Sequence, residues 1–158
     1  MKKIILWIPC ILFPMFVFCQ KNPNPSDFHG VMAVDENKNI DFTSLTNPTD
    51  GTNIAYFTHK PTKEEYLAKK GRKLLSFNKI SRIEILPLSN QELLDLINIC
   101  GDMTLQKATL TLITPDKTIP EVIYLDVKWF EWRSNIMKGF PDTYRMEVRN
   151  VDHIEIYH

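Results

Sequence analysis

The sequence predicts a mainly β protein of the α+β class, with two or three short helices. Three observations predict it. One strand-like stretch occurs twice, at residues 74–85 and 145–156, and both copies close on Ile-Glu-Ile. Other stretches, 104–114 and 119–129 above all, alternate apolar and polar side chains at period two. The two capping boxes, Thr62 with Glu65 and Ser89 with Glu92, open only short helices.

Each copy of the repeated stretch breaks its alternation once, because Ile80 and Ile83, like Val151 and Ile154, lie three apart. A three-residue step inside a two-residue rhythm predicts one tight 3₁₀ turn between two short strands. The pair therefore predicts two similar antiparallel β units, as small barrels or as one pseudo-symmetric sandwich, joined by the helix at 89–100. The matching halves are 29–87 and 103–158. Each has a hairpin, an aromatic strand (Tyr56 and Phe57; Trp129 and Phe130), an excursion ending near a glycine, and the strand–turn–strand. That ending resembles the last two strands of five-stranded Sm-like barrels. The resemblance covers about twelve residues per copy. It concerns fold alone and implies no function.

The remaining elements follow in order. Residues 31–34 and 40–42 predict a hairpin across the turn-forming 35–39, and 44–52 predicts a loop punctuated by Asn47, Pro48, Asp50 and Gly51. Residues 53–59 predict a well-covered strand. Thr62 caps a short helix that ends on Lys69, Lys70 and Gly71. Leu93, Leu96, Ile97 and Cys100 recur at helical spacing, and Gly101 ends that second helix. In the hairpin 104–129, Ala108, Leu110, Leu112, Ile123, Leu125, Val127 and Trp129 point inward, while Tyr124, Asp126 and Lys128 point outward.

Ahead of the domain at 29–158, residues 1–19 predict a signal peptide. Lys2 and Lys3 precede an uncharged apolar run at 4–18, the right length for export and short for a membrane span. Val17 and Cys19 suit a cut before Gln20. The alternative is a cut before Cys19 with that thiol lipidated, which makes the chain a lipoprotein. Residues 20–28, with Pro23 and Pro25, predict a flexible tether. The expected location is the periplasm or the extracellular side of a bacterial envelope, with membrane contact only through the leader or a lipid on Cys19.

Composition narrows function. The chain carries 19 basic and 19 acidic side chains, and losing Lys2 and Lys3 leaves a slight acidic excess. Nothing in that balance grips phosphates, so no nucleic-acid partner is expected. Past the leader, Cys100 is the sole cysteine, which predicts a small buried hydrophobe. His29, His59, His153 and His158 lack metal-ligand spacing, so neither metal nor cofactor is expected. His153, Glu155 and Tyr157 share an outer strand face. Nucleophile-elbow, P-loop and dinucleotide motifs are missing from the sequence.

The most suggestive feature is the run Lys128, Trp129, Phe130, Glu131, Trp132, Arg133. If Trp129 points inward, Phe130 and Trp132 stand outside beside Lys128 and Arg133, as at the centre of a binding patch. These four residues are the candidate site of a non-catalytic module that takes a protein or glycan partner. One alternative is a small periplasmic hydrolase using His29, Asp35, His59, Asp102 and Asp116. Another is a periplasmic inhibitor or immunity-like protein that binds through the loop 47–53.

Overall fold

A computed structural model describes residues 28–34, 38–134 and 143–158. The leader, all of the tether except Phe28, and Asp35 lie outside the described residues. The fold is mainly β, built from antiparallel sheets with two short α-helices.

The first strands, β1 (His29–Val34) and β2 (Lys38–Phe42), form the expected hairpin. Thr43 then bends the chain into a short strand the sequence did not announce, β3 (Ser44–Thr46). Next come β4 (Asn53–Phe57) and helix α1 (Lys63–Leu67), whose capping box is formed as the sequence predicts. β5 (Lys73–Ser76), a 3₁₀ turn (Phe77–Lys79) and β6 (Ile80–Ile85) make the first copy of the repeated stretch. Helix α2 (Asn90–Cys100) follows its Ser89 cap and ends at Gly101, in the left-handed region at φ 81°. β7 (Leu105–Leu112), β8 (Ile123–Asp126) and β9 (Trp129–Arg133) come next. β10 (Tyr144–Glu147), a second 3₁₀ turn (Val148–Asn150) and β11 (His153–Tyr157) close the chain.

These strands form two sheets. The larger runs β2-β1-β11-β6-β7-β8-β4-β5, the smaller β10-β9-β3, and both are open. The chain passes between them four times: at Thr43, through the loop 47–52, at residues 127–128 and through the second 3₁₀ turn. Each hairpin pairs away from its own half of the sequence. β1 lies on β11, not β6, and β7 lies on β6. The two Ile-Glu-Ile strands meet directly, with Ile83 opposite Ile154.

One apolar core collects side chains from both sheets: Met32, Phe42, Phe77, Ile80, Ile83 and Ile154 from the larger sheet and its turn, and Leu45, Phe130 and Trp132 from the smaller. The helices cover the other side of β4, β7 and β8, where Phe57, Leu96 and Leu105 form a second, small cluster. Here α2 sits against α1 and β7 as a cover. Gly30 marks the tightest approach in the core. A Cβ there would lie 2.0 Å from the Glu155 carbonyl oxygen and 2.5 Å from the Phe42 ring.

Candidate functional site

The sequence-predicted patch does not form. Phe130 is 0% exposed and Trp132 is 6% exposed, and both belong to the core. The reason is a kink. β8 ends at Asp126 in one sheet and β9 begins at Trp129 in the other, so the buried positions step from Val127 to Phe130. That three-residue step resets the alternation and turns Phe130 and Trp132 inward. Trp132 stacks on Tyr144 at 4.7 Å, and the indole N–H and the Tyr144 hydroxyl, both buried, find no partner among the described residues. Lys128 and Arg133 remain exposed but lie at opposite ends of β9: Lys128 bonds Asp102 at 3.1 Å, while Arg133 reaches Thr143.

Among the described residues, the hydrolase candidates do not converge. His29 sits exposed at the start of β1. His59 lies 3.5 Å from Glu65 on the surface beside α1. Asp102 is occupied by Thr104 and Lys128, and Asp116 by Thr118. His153 and Glu155 share the outer face of β11 at 4.0 Å, and Arg82 holds Glu155 at 2.7 Å. The Cys100 thiol lies 3.0 Å from the carbonyls of Leu96 and Asp102. The loop 47–53 is tied down rather than free. Asn47 is 3% exposed, caps the turn through Thr49 N–H and donates to Asp50 and Asn53.

What the structure does bring together is a cleft of about 620 Å³ between α1, the loop 47–53 and the β8–β9 crossover. Its lining includes Tyr66, Lys69, Arg72, Asp126, Lys128 and Trp129. Asp126 points away from the core side of β8, as the alternation predicts, yet it is 7% exposed because the chain after α1 folds over it. Arg72 bridges two carboxylates, donating from Nε to Asp126 at 2.6 Å and from Nη2 to Asp50 at 2.6 Å. Lys69 adds a bond to Asp126 at 3.1 Å and holds its ammonium 4.6 Å from the Tyr66 ring centre. Its backbone lies in the left-handed region at φ 54° as the residue after the Ala68 cap of α1, where Lys69 N–H bonds the Tyr66 carbonyl at 3.1 Å and Lys70 N–H the Glu65 carbonyl at 2.9 Å.

The electrostatics of this cluster are mutual. Burial works against the Arg72 charge, but its bonds to Asp50 and Asp126 outweigh that and raise its pKa. Burial, seconded by Asp126, pushes the Tyr66 hydroxyl well above the ordinary tyrosine value, so it stays a donor. Such a network adds little net stability, because desolvation offsets most of the attraction. Its effect is to fix positions. Lys69 and Lys128 stand half-exposed at the rim, each anchored by a carboxylate. Sequence reasoning missed this site because its members come from four separate segments. Only the run Lys69, Lys70, Gly71, Arg72, Lys73 carried a trace of it, and that run doubles as a helix-end signal.

No family model matches the chain, and no curated protein or solved structure matches it either.

Proposed function

We propose that the chain is an exported bacterial cell-envelope protein that acts as a non-catalytic interaction module, with the Tyr66–Trp129 cleft as its binding surface. The observation that carries this reading is the buried Asp126 carboxylate, held by Arg72 and Lys69 at the base of a cleft with half-buried aromatic walls. Concave, mostly apolar surfaces with a few fixed polar groups are where ligands bind. The polar groups already satisfy one another, so a partner meets oriented donors and acceptors without reorganising them. Tyr66 and Trp129 offer faces to a protein side chain or a sugar ring. Export is supported by the leader at 1–19 alone.

The test is alanine substitution at Lys69 and Trp129. The melting curve should stay close to the parent's while capture of an envelope partner is lost. Undiminished capture by a folded double variant ends the proposal. The mass of the mature N-terminus separates a cut at Gln20 from lipid on Cys19.

We also propose that the two sheets comprise two similar units that have exchanged hairpins. One would be β4 to β8. The other would be β9 to β11 with β1, β2 and β3. Supporting this, the strand adjacencies correspond once β2 and β3, separated only by Thr43, are taken together as the counterpart of β8: β5 on β4, β4 on β8, β8 on β7, β7 on β6, against β10 on β9, β9 on β3, β2 on β1, β1 on β11. In both, a 3₁₀ turn links the first strand to the last.

A further inference from the structure

We propose that the outer edge of β5 takes up an acidic, extended segment of a partner polypeptide as an added strand. This rests on reading the chain as a binding module, and it names the partner's chemistry.

The argument begins with the ladder. Among the described residues, β5 ends the larger sheet and pairs only with β4. Phe77 N–H bonds the Thr52 carbonyl at 3.0 Å, and the register places Ser76 opposite Asn53 and Leu74 opposite Ala55. In an antiparallel pair, hydrogen-bonded and non-bonded positions alternate. Phe77 and Leu75 therefore face β4, and the amides and carbonyls of Leu74 and Ser76 point away from the sheet. Leu74 is 54% exposed and lines the Tyr66–Trp129 cleft, so an added strand would lie along that cleft's wall.

Charge selects the occupant. Lys70, Lys73, Lys79 and Lys117 are all exposed, on β5, beside its two ends and on the loop alongside. Among the described residues none of them makes an ion pair. The opposing carboxylate here is Asp116, held ionised by Thr118 and then by Lys73 and Lys79. The other sheet edges differ, β3 carrying no charged residue at all. On β10, Arg145 pairs with Glu131 and Arg149 with Glu147, and β2 carries both Lys38 and Asp41. Lysines on an edge commonly prevent indiscriminate pairing. The same lysines repel a second copy's β5 and admit an acidic strand, whose backbone meets the outward amides and carbonyls and whose carboxylates meet exposed ammoniums.

The experiment uses the protein as its host processes it. The probe is a short capped peptide alternating glutamate and valine, with the lysine–valine peptide as control. The acidic peptide should slow amide exchange at Leu74 and Ser76, and the basic one should not. Leu74→Pro removes an outward N–H that no ladder bond uses, and should weaken binding about tenfold. Should that variant fail to fold, Lys73→Glu with Lys79→Glu decides, because it should reverse the preference between the peptides. Equal response to both peptides, or unchanged exchange at Leu74 and Ser76, overturns the proposal. Loss of partner capture on Trp129→Ala, with Lys73→Glu and Lys79→Glu neutral, sinks strand addition while leaving the cleft reading standing.

Discussion

The turn at Phe77–Lys79 and the turn at Val148–Asn150 are built alike and serve different surroundings. Each buries its first residue, Phe77 at 0% and Val148 at 1% exposure, and each is followed by a buried β-branched residue, Ile80 or Val151. The third residue of each Ile-Glu-Ile faces a small partner across the ladder. Ile85 lies opposite Ala108 and Ile156 opposite Gly30. The neighbourhoods then diverge. The first turn keeps both its strands in the larger sheet, whereas the second carries the chain from the smaller sheet to the larger. The strand before the first turn begins at Lys73, which makes no ion pair among the described residues, and the strand before the second carries ion pairs. A local motif thus fixes a bend and its buried contacts, and leaves pairing and surface charge to its neighbours.

Removing the buried turn residues tests how far the two bends are equivalent. Phe77 contacts Phe28 and Phe130 edge-on and fills the core between the sheets. Phe77→Ala should cost roughly 4 kcal/mol in urea unfolding, and Val148→Ala roughly 2 kcal/mol. Equal costs would mean the second turn anchors as much core as the first.

The two small ladder partners offer a sharper contrast. Gly30→Ala places a methyl against the Glu155 backbone and the Phe42 ring and should destabilise by roughly 3 kcal/mol. Ala108→Gly, at the matching place on β7, should cost only about 1 kcal/mol. Tolerance of Gly30→Ala would show that β1 and β11 are packed more loosely than β6 and β7.

Arg72 lies just before the first copy, and the equivalent position before the second is Thr143. Arg72→Met leaves Asp126 buried with Lys69 as its remaining cation and should lower stability by about 2 kcal/mol. The double change Arg72→Met with Asp126→Leu should recover part of that loss. Simple additivity of the two would contradict a coupled network.

The smallest effect lies in the connection after the first copy, which holds α2. Ser89, then Lys107, holds the Glu92 carboxyl at about 2, against an ordinary value of 4.5. A depressed carboxylate contributes its stabilisation fully above the ordinary value and loses it as pH falls through the folded one. Protection of the first turn of α2 should therefore fade between about pH 4.5 and pH 2. Ser89→Ala should move the Glu92 titration upward in carbon-detected NMR. An unmoved midpoint would remove the cap as its cause.

Much of this was legible in the sequence. Both capping boxes, one 3₁₀ turn in each copy and the outward face of β11 follow from spacing over a few residues, because they depend on contacts made within one turn or one strand; each turn lies about three residues ahead of the step that announces it, at Phe77–Lys79 and Val148–Asn150. The reversal of Phe130 and Trp132 was not legible, since it depends on where β8 leaves one sheet for the other. The three-residue step from Ile80 to Ile83, which is a register shift inside β6, also occurs from Val127 to Phe130, but there Trp129 is apolar and masks it. The burial of Asp126 was hidden for a similar reason, because its cover comes from Lys69 and Arg72, more than fifty residues earlier.

The amino-acid sequence by itself determined the β-rich class, the two helices with their caps, and the repeated bend, because period-two patterning and capping are energies of neighbouring residues. The tertiary structure alone decided which hairpin pairs with which copy, which aromatics are covered, and that Tyr66, Arg72, Asp126 and Trp129 share a cleft. Those outcomes depend on contacts between distant segments, and strands of similar local pattern admit several such pairings until the core selects one.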